Sequence, residues 1–192
     1  IPAPREKIDG HSRVELSVNG LLSGHSGVQI HLPRLNAIKL VLEGISEVGK
    51  AVPVRLGSFD GGSALNAIPA QAACSIFVPA AELERTLEIL RRWKASTEKT
   101  WRDREPGMNI AFREAAGSAG GAAPAERGAM TPLASEALLS LLREVPHGPL
   151  SWSEPLSGAG GGIVRTSNNL ALVKSGLRSV RVGCLSLSLI HI

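Results

Sequence analysis

Tyrosine is missing from this sequence, and three Phe and three Trp are the only aromatic residues among its 192. An interior filled with rings is thereby excluded, so Leu, Ile, Val and Ala must build the core. The same scarcity removes the stacking platforms on which single-stranded nucleic acids lie. Cysteine is nearly absent as well. Cys74 and Cys184 stand in unrelated contexts with no CxxC spacing, which excludes a disulfide framework and a structural zinc site. Aspartate is limited to Asp9, Asp60 and Asp103, and the five His form no HxxxH, HxD or HxxE pair. A metal centre built from this chain alone lacks its usual ligand spacing. No apolar run reaches the 18 residues of a membrane span and no signal peptide is recognisable, so the expected setting is soluble and cytoplasmic.

What is present suffices for a folded core. Apolar residues make up 43% of a 20.1 kDa chain, the size of one large domain or one and a half average ones. The net charge of +4 and pI near 9.5 raise the question of an anionic partner. Over 82–105, however, Arg and Lys alternate with Glu, the pattern of a solvated helix face and not of a nucleic-acid footprint. Both ends read as cut. "IPAPREK" opens without Met, as the middle of a longer protein would. "CLSLSLIHI" (184–192) abruptly drops its charge and reads as translated adapter or frame-shifted sequence, with a true C-terminal strand as the alternative.

Residues 12–18 alternate Val14, Leu16 and Val18 with polar positions, the period of a half-buried strand. From Pro33, Leu35, Ile38, Val41, Leu42, Ile45 and Val48 recur at helical spacing, with Gly49 as a plausible C-cap. Strands follow at 52–59 and between Pro69 and Pro79, joined by the turn signal Asp60-Gly61-Gly62. A helix over 80–97 carries Leu83, Leu87 and Leu90, and "GMNIAF" (107–112) alternates as a fourth strand. Ala and Gly dominate 115–130, which reads as a flexible surface insertion. Thr131 and Pro132 open a third helix, a Gly/Ser-rich loop occupies 150–163, and strands at 169–174 and 178–183 read as a hairpin. The order β-α-β-β-α-β predicts an α+β fold, a two-layer ferredoxin-like sheet with helices on one face. Such a unit leaves a sheet face or edge in need of a partner.

The stretch "GLLSGHSGVQIHLPRLNA" (20–37) sets His25 among small residues between strand and helix. A Ser-His-Asp hydrolase is poorly served by it: Ser26 adjoins His25, neighbours on an extended chain point apart, and "GHSG" is not a GxSxG elbow. Its glycines could form an anion nest at a helix start. A plain strand-to-helix turn with a solvated histidine is the other structural reading.

Taken with "DGGSALNAIP" (60–69) and "TSNNLALV" (166–173), in that order, the stretch resembles the aminoacyl-histidine dipeptidase family, also called Xaa-His or cytosol non-specific dipeptidases, which are di-zinc metallopeptidases. The resemblance spans roughly 12–184. It implies a fragment: residues 1–114 as a lid and dimerisation domain, 115–130 as the insertion, 131–183 as the rest of the lid and the return to an incomplete catalytic domain, and 184–192 as a non-native tail. It implies two zinc ions in the parent enzyme, none bound by this fragment, and a homodimer formed through the lid. By resemblance His25 is the catalytic lid histidine that hydrogen-bonds the scissile carbonyl, and Asn66 holds the carboxylate of the dipeptide substrate. The family's substrate-binding arginine has Leu187 in its place here. The expected function is hydrolysis of Xaa-His and similar unblocked dipeptides by the parent, with the isolated chain inactive. The alternative is a stand-alone α+β module that dimerises or binds a small anion without catalysis. Neither reading involves nucleic acid or a membrane.

Overall fold

The alternation of Val14, Leu16 and Val18 does produce a strand. In the computed structural model, which describes residues 1–115, 128–153 and 162–188, β2 runs over His11–Asn19 with those three side chains buried. A two-residue strand, β1 (Arg5–Glu6), precedes it. Helix α1 spans Ala37–Gly49 and begins later than the periodicity suggests. Asn36 is extended and its side-chain oxygen accepts from the amides of Ile38 and Lys39, so the cap fixes the start. Gly49 is the last helical residue and Lys50 the cap.

β3 (Arg55–Gly61) and β4 (Ala72–Pro79) follow, then a 3₁₀ turn at Ala80–Glu82 that leads into α2 (Leu83–Trp101), and β5 (Asn109–Glu114). These four long strands lie in the order β5-β2-β4-β3. All neighbours are antiparallel, with Leu16 opposite both Cys74 and Phe112. This is the ferredoxin-like arrangement expected from the element order. Helices α1 and α2 pack on one face through Ile38, Val41, Leu42 and Ile45 on the first and Leu90 and Trp93 on the second. Gly44 allows the close approach: a methyl group there would lie 2.9 Å from the Trp93 ring.

Beyond this unit come β6 (Ala129–Met130), α3 (Pro132–Glu144), β7 (Gly148–Trp152), β8 (Val164–Ser175) and β9 (Val180–Ser188). Thr131 caps α3 by accepting from the Ala134 amide, as its Thr-Pro start predicts. β8 pairs with both β7 and β9 and meets β3 at Gly61–Val173, so it joins the ferredoxin-like sheet to the C-terminal hairpin.

Several expected boundaries move. Of the hairpin strands, β8 extends beyond 169–174 at both ends, whereas β9 starts two residues later than 178 and runs five residues past 183. Of the expected insertion 115–130, residues 116–127 lie outside the described residues, and its last two form β6, buried and paired with β1. The expected loop 150–163 begins instead as the end of β7, and 154–161 lie outside the described residues. In the segment read as a tail, Cys184–Ser188 completes β9 in register with β8, Leu185 opposite Asn169 and Ser188 opposite Thr166; residues 189–192 are not described.

Candidate functional site

Two loops meet at the end of the sheet. One, residues 20–36, leads from β2 to α1; the other, 62–71, leads from β3 to β4. They are joined by backbone hydrogen bonds, Ser26 N donating to Asn66 O and Ile68 N donating to Gly24 O, both at 2.8 Å. His25 and Ala67 are paired as an isolated bridge. Thus His25 and Asn66, 41 positions apart in sequence, sit on adjacent backbone, and both are exposed.

The His25 ring is held by its own loop. Gly27 N donates to His25 Nδ1 at 3.1 Å, so in the neutral imidazole the proton resides on Nε2, which is left as a hydrogen-bond donor on an exposed ring. With Nδ1 occupied by an amide, no carboxylate orients this histidine, and the Ser-His-Asp arrangement is not formed. Gly27 leaves little room for a side chain, because a methyl group there would lie 3.1 Å from His25 Cε1 and 3.2 Å from Leu187 Cδ1, so one of those side chains would have to shift. Leu187, the position where the resemblance expects arginine, is therefore beside the His25 loop.

The anion-nest reading is corrected by the same bonds. His25 N donates to Gln29 Oε1 at 3.0 Å, Ser26 N to Asn66 O, and Val28 N and Gln29 N to His25 O. With Gly27 N on the imidazole, the amides of 25–29 all have partners within the two loops, so none converges on a vacant anion site.

The base of the loop is braced by a residue with no sequence signal. Glu105 is buried at 2% exposure. Its carboxylate accepts from Leu22 N at 2.7 Å and Leu35 N at 3.1 Å, clamping both feet of the loop to the turn that follows α2. Ser23 stands in the left-handed region with φ 57° and donates from Oγ to Ile68 O at 2.6 Å. The two asparagines inside β8 are also structural: Asn168 donates to Pro146 O at 2.6 Å and Asn169 to the carbonyls of Leu65 and Ala67. A polar pair interrupting an apolar strand is a visible signal, read from sequence only as part of a motif. Beside the loop opens a largely apolar cavity of about 420 Å³, lined in part by Val28, Ile30, Trp152, Ile163 and Leu187. Among the described residues no three His, Cys, Asp or Glu converge as a metal site, so the side chains present do not fit a zinc ion.

The ferredoxin-like sheet thus carries an exposed histidine on a small-residue loop and continues through β8 into the C-terminal hairpin. Residues 16–105 match the peptidase dimerisation domain family. Over 94% of its length the chain is 26% identical to the cytosol non-specific dipeptidase of Escherichia coli (strain K12). It resembles the crystal structure of aminoacylhistidine dipeptidase from Vibrio alginolyticus with a TM-score of 0.86 over 100% of the chain, at 26% identity. The chain spans 35% of the first relative's length and 37% of the second's, about a third of each. The resemblance to the aminoacyl-histidine dipeptidases thus holds in both sequence and fold.

Proposed function

We propose that this chain is the lid segment of a cytoplasmic zinc-dependent dipeptidase that cleaves the peptide bond of Xaa-His and similar unblocked dipeptides and dimerises through residues 16–105. The observation that carries the reading is the juxtaposition of His25 and Asn66 on two cross-bonded loops, with Gly27 occupying Nδ1 of the imidazole. When water adds to the scissile carbonyl, negative charge grows on its oxygen. His25 donates its Nε2 proton in a hydrogen bond to that oxygen, and Asn66 donates its carboxamide to the carboxylate at the other end of the dipeptide.

The zinc ions of the parent belong to the part of that protein outside this chain, where they would activate water and polarise the carbonyl. This segment supplies substrate contacts, so the isolated 192-residue chain is expected not to hydrolyse Ala-His. The deciding experiment is His25→Ala in the full-length parent. Losing one oxyanion donor lowers kcat about 100- to 1,000-fold with zinc content unchanged, whereas an unaltered kcat overturns the assignment.

A further inference from the structure

Asn169 lies in β8, outside both loops, at 1% exposure. Its Nδ2 donates to the carbonyl oxygens of Leu65 at 3.0 Å and Ala67 at 2.8 Å, the two carbonyls that flank Asn66. The carbonyl between them, that of Asn66 itself, accepts from Ser26 N on the His25 loop at 2.8 Å. Three consecutive carbonyls are therefore tied alternately: the outer two to β8 and the middle one to the backbone next to His25. A carboxamide has two N–H donors, and here both are committed to one segment. Its Oδ1 is buried without a hydrogen-bond partner, so every side-chain hydrogen bond of Asn169 goes to the segment that carries Asn66.

We infer that Asn169 is a positioning residue for the site, holding the Asn66 segment so that its middle carbonyl fixes Ser26 and, through it, the backbone of His25. Leu or Val at 169 would suit a buried strand by hydrophobicity but would leave the Leu65 and Ala67 carbonyls without donors. The inference rests on the proposed roles of His25 and Asn66 only for its consequence in catalysis; the positioning itself is a property of this chain.

The test is amide hydrogen exchange, read by NMR on the ¹⁵N-labelled 192-residue chain. Asn169→Ala is expected to speed exchange at Ser26 and Ile68, the two cross-loop donors, by tenfold or more. The Leu16 and Ile76 amides in the sheet should stay unchanged. Asn169→Ser, which keeps a shorter donor, should recover part of the protection. Exchange at Ser26 and Ile68 that matches the wild type, or that rises equally across the sheet, overturns the inference. Should the Ala variant fail to fold, the wild-type chain still decides: the Asn169 carboxamide protons are expected to be protected from solvent, and rapid exchange refutes their double donation. In the full-length parent, the Ala variant is expected to lower kcat more than it changes KM. Loosened loops with an unchanged kcat would leave the positioning in place and remove the catalytic role of His25 instead.

Discussion

At the scale of single residues, the site depends on two backbone positions where side-chain size decides the outcome. Gly27 touches the imidazole it donates to, so Gly27→Ala forces a methyl group against His25 Cε1 and Leu187 Cδ1. The expected result is a displaced His25 ring, seen as changed His25 imidazole shifts by NMR, with the sheet amides unchanged. Ser23 poses a balance. Its left-handed backbone costs a non-glycine residue about 1–2 kcal/mol, while its hydroxyl bond to Ile68 O returns about 0.5–1.5 kcal/mol. Ser23→Gly removes both and should leave stability within about 1 kcal/mol of wild type. Ser23→Ala keeps the strain and loses the bond, and should unfold at lower urea. An Ala variant as stable as the Gly variant would show that the left-handed backbone costs little at this position.

At the scale of elements, α1 is the hub of the structure. Its apolar face was legible from the recurrence of Ile38, Val41, Leu42 and Ile45, because burial on a helix demands that spacing. Its starting point was not, because Asn36 is set by long-range partners as well as by its own helix. Asn36 caps α1 with Oδ1 and donates from Nδ2 to Leu170 O in β8 at 2.8 Å, with His147 Nδ1 at 3.2 Å. Replacing it with Ala removes a cap worth about 1 kcal/mol and strands a buried carbonyl, which costs a further 1–3 kcal/mol or so. Chemical denaturation of Asn36→Ala should therefore show a loss of about 2–4 kcal/mol. Asn36→Asp keeps the cap but sets a carboxylate oxygen against Leu170 O, so it should also lose stability. A stability equal to wild type in the Ala variant would contradict the hub role.

At the scale of the whole molecule, the ferredoxin-like unit and α3 are joined by part-buried polar contacts. Lys39 on α1 reaches the end of α3, donating to the carbonyls of Leu142 at 2.7 Å and Val145 at 2.6 Å. Against this junction lies His147, whose imidazole is pushed down from 6.5 to about 4 by burial and by the charge of Lys39. The unfolded chain takes up a proton near pH 6.5, and the folded chain does not until about pH 4. The unfolded state thus binds more protons inside that window, and stability falls as pH drops through it. At about 1.4 kcal/mol per unit, the loss across the window is about 3 kcal/mol. Thermal unfolding of wild type against His147→Gln should show it: the difference in pH dependence lies between pH 6.5 and 4 and vanishes above. Parallel profiles would assign the acid sensitivity to other groups.

What the sequence by itself determined was everything governed by local periodicity and by chain order. Alternation in 12–18, helical spacing in 80–97 and the Thr-Pro start of α3 are short-range patterns, and βαββαβ order admits few right-handed, unknotted ways to form a sheet. The glycine and serine content around His25 likewise marked a loop. Only the tertiary structure decided where the donors of that loop point, because a nest with open amides and a loop whose amides are internally bonded share the same composition. Folding brought the Asn66 segment beside His25, turned the loop amides inward and, among the described residues, left Nε2 as the ring nitrogen without a hydrogen-bond partner. It also gave Glu105 and Asn169 their work. Each is one polar residue whose partners lie tens of positions away, and such a contact leaves no period in the chain because three-dimensional packing alone creates it.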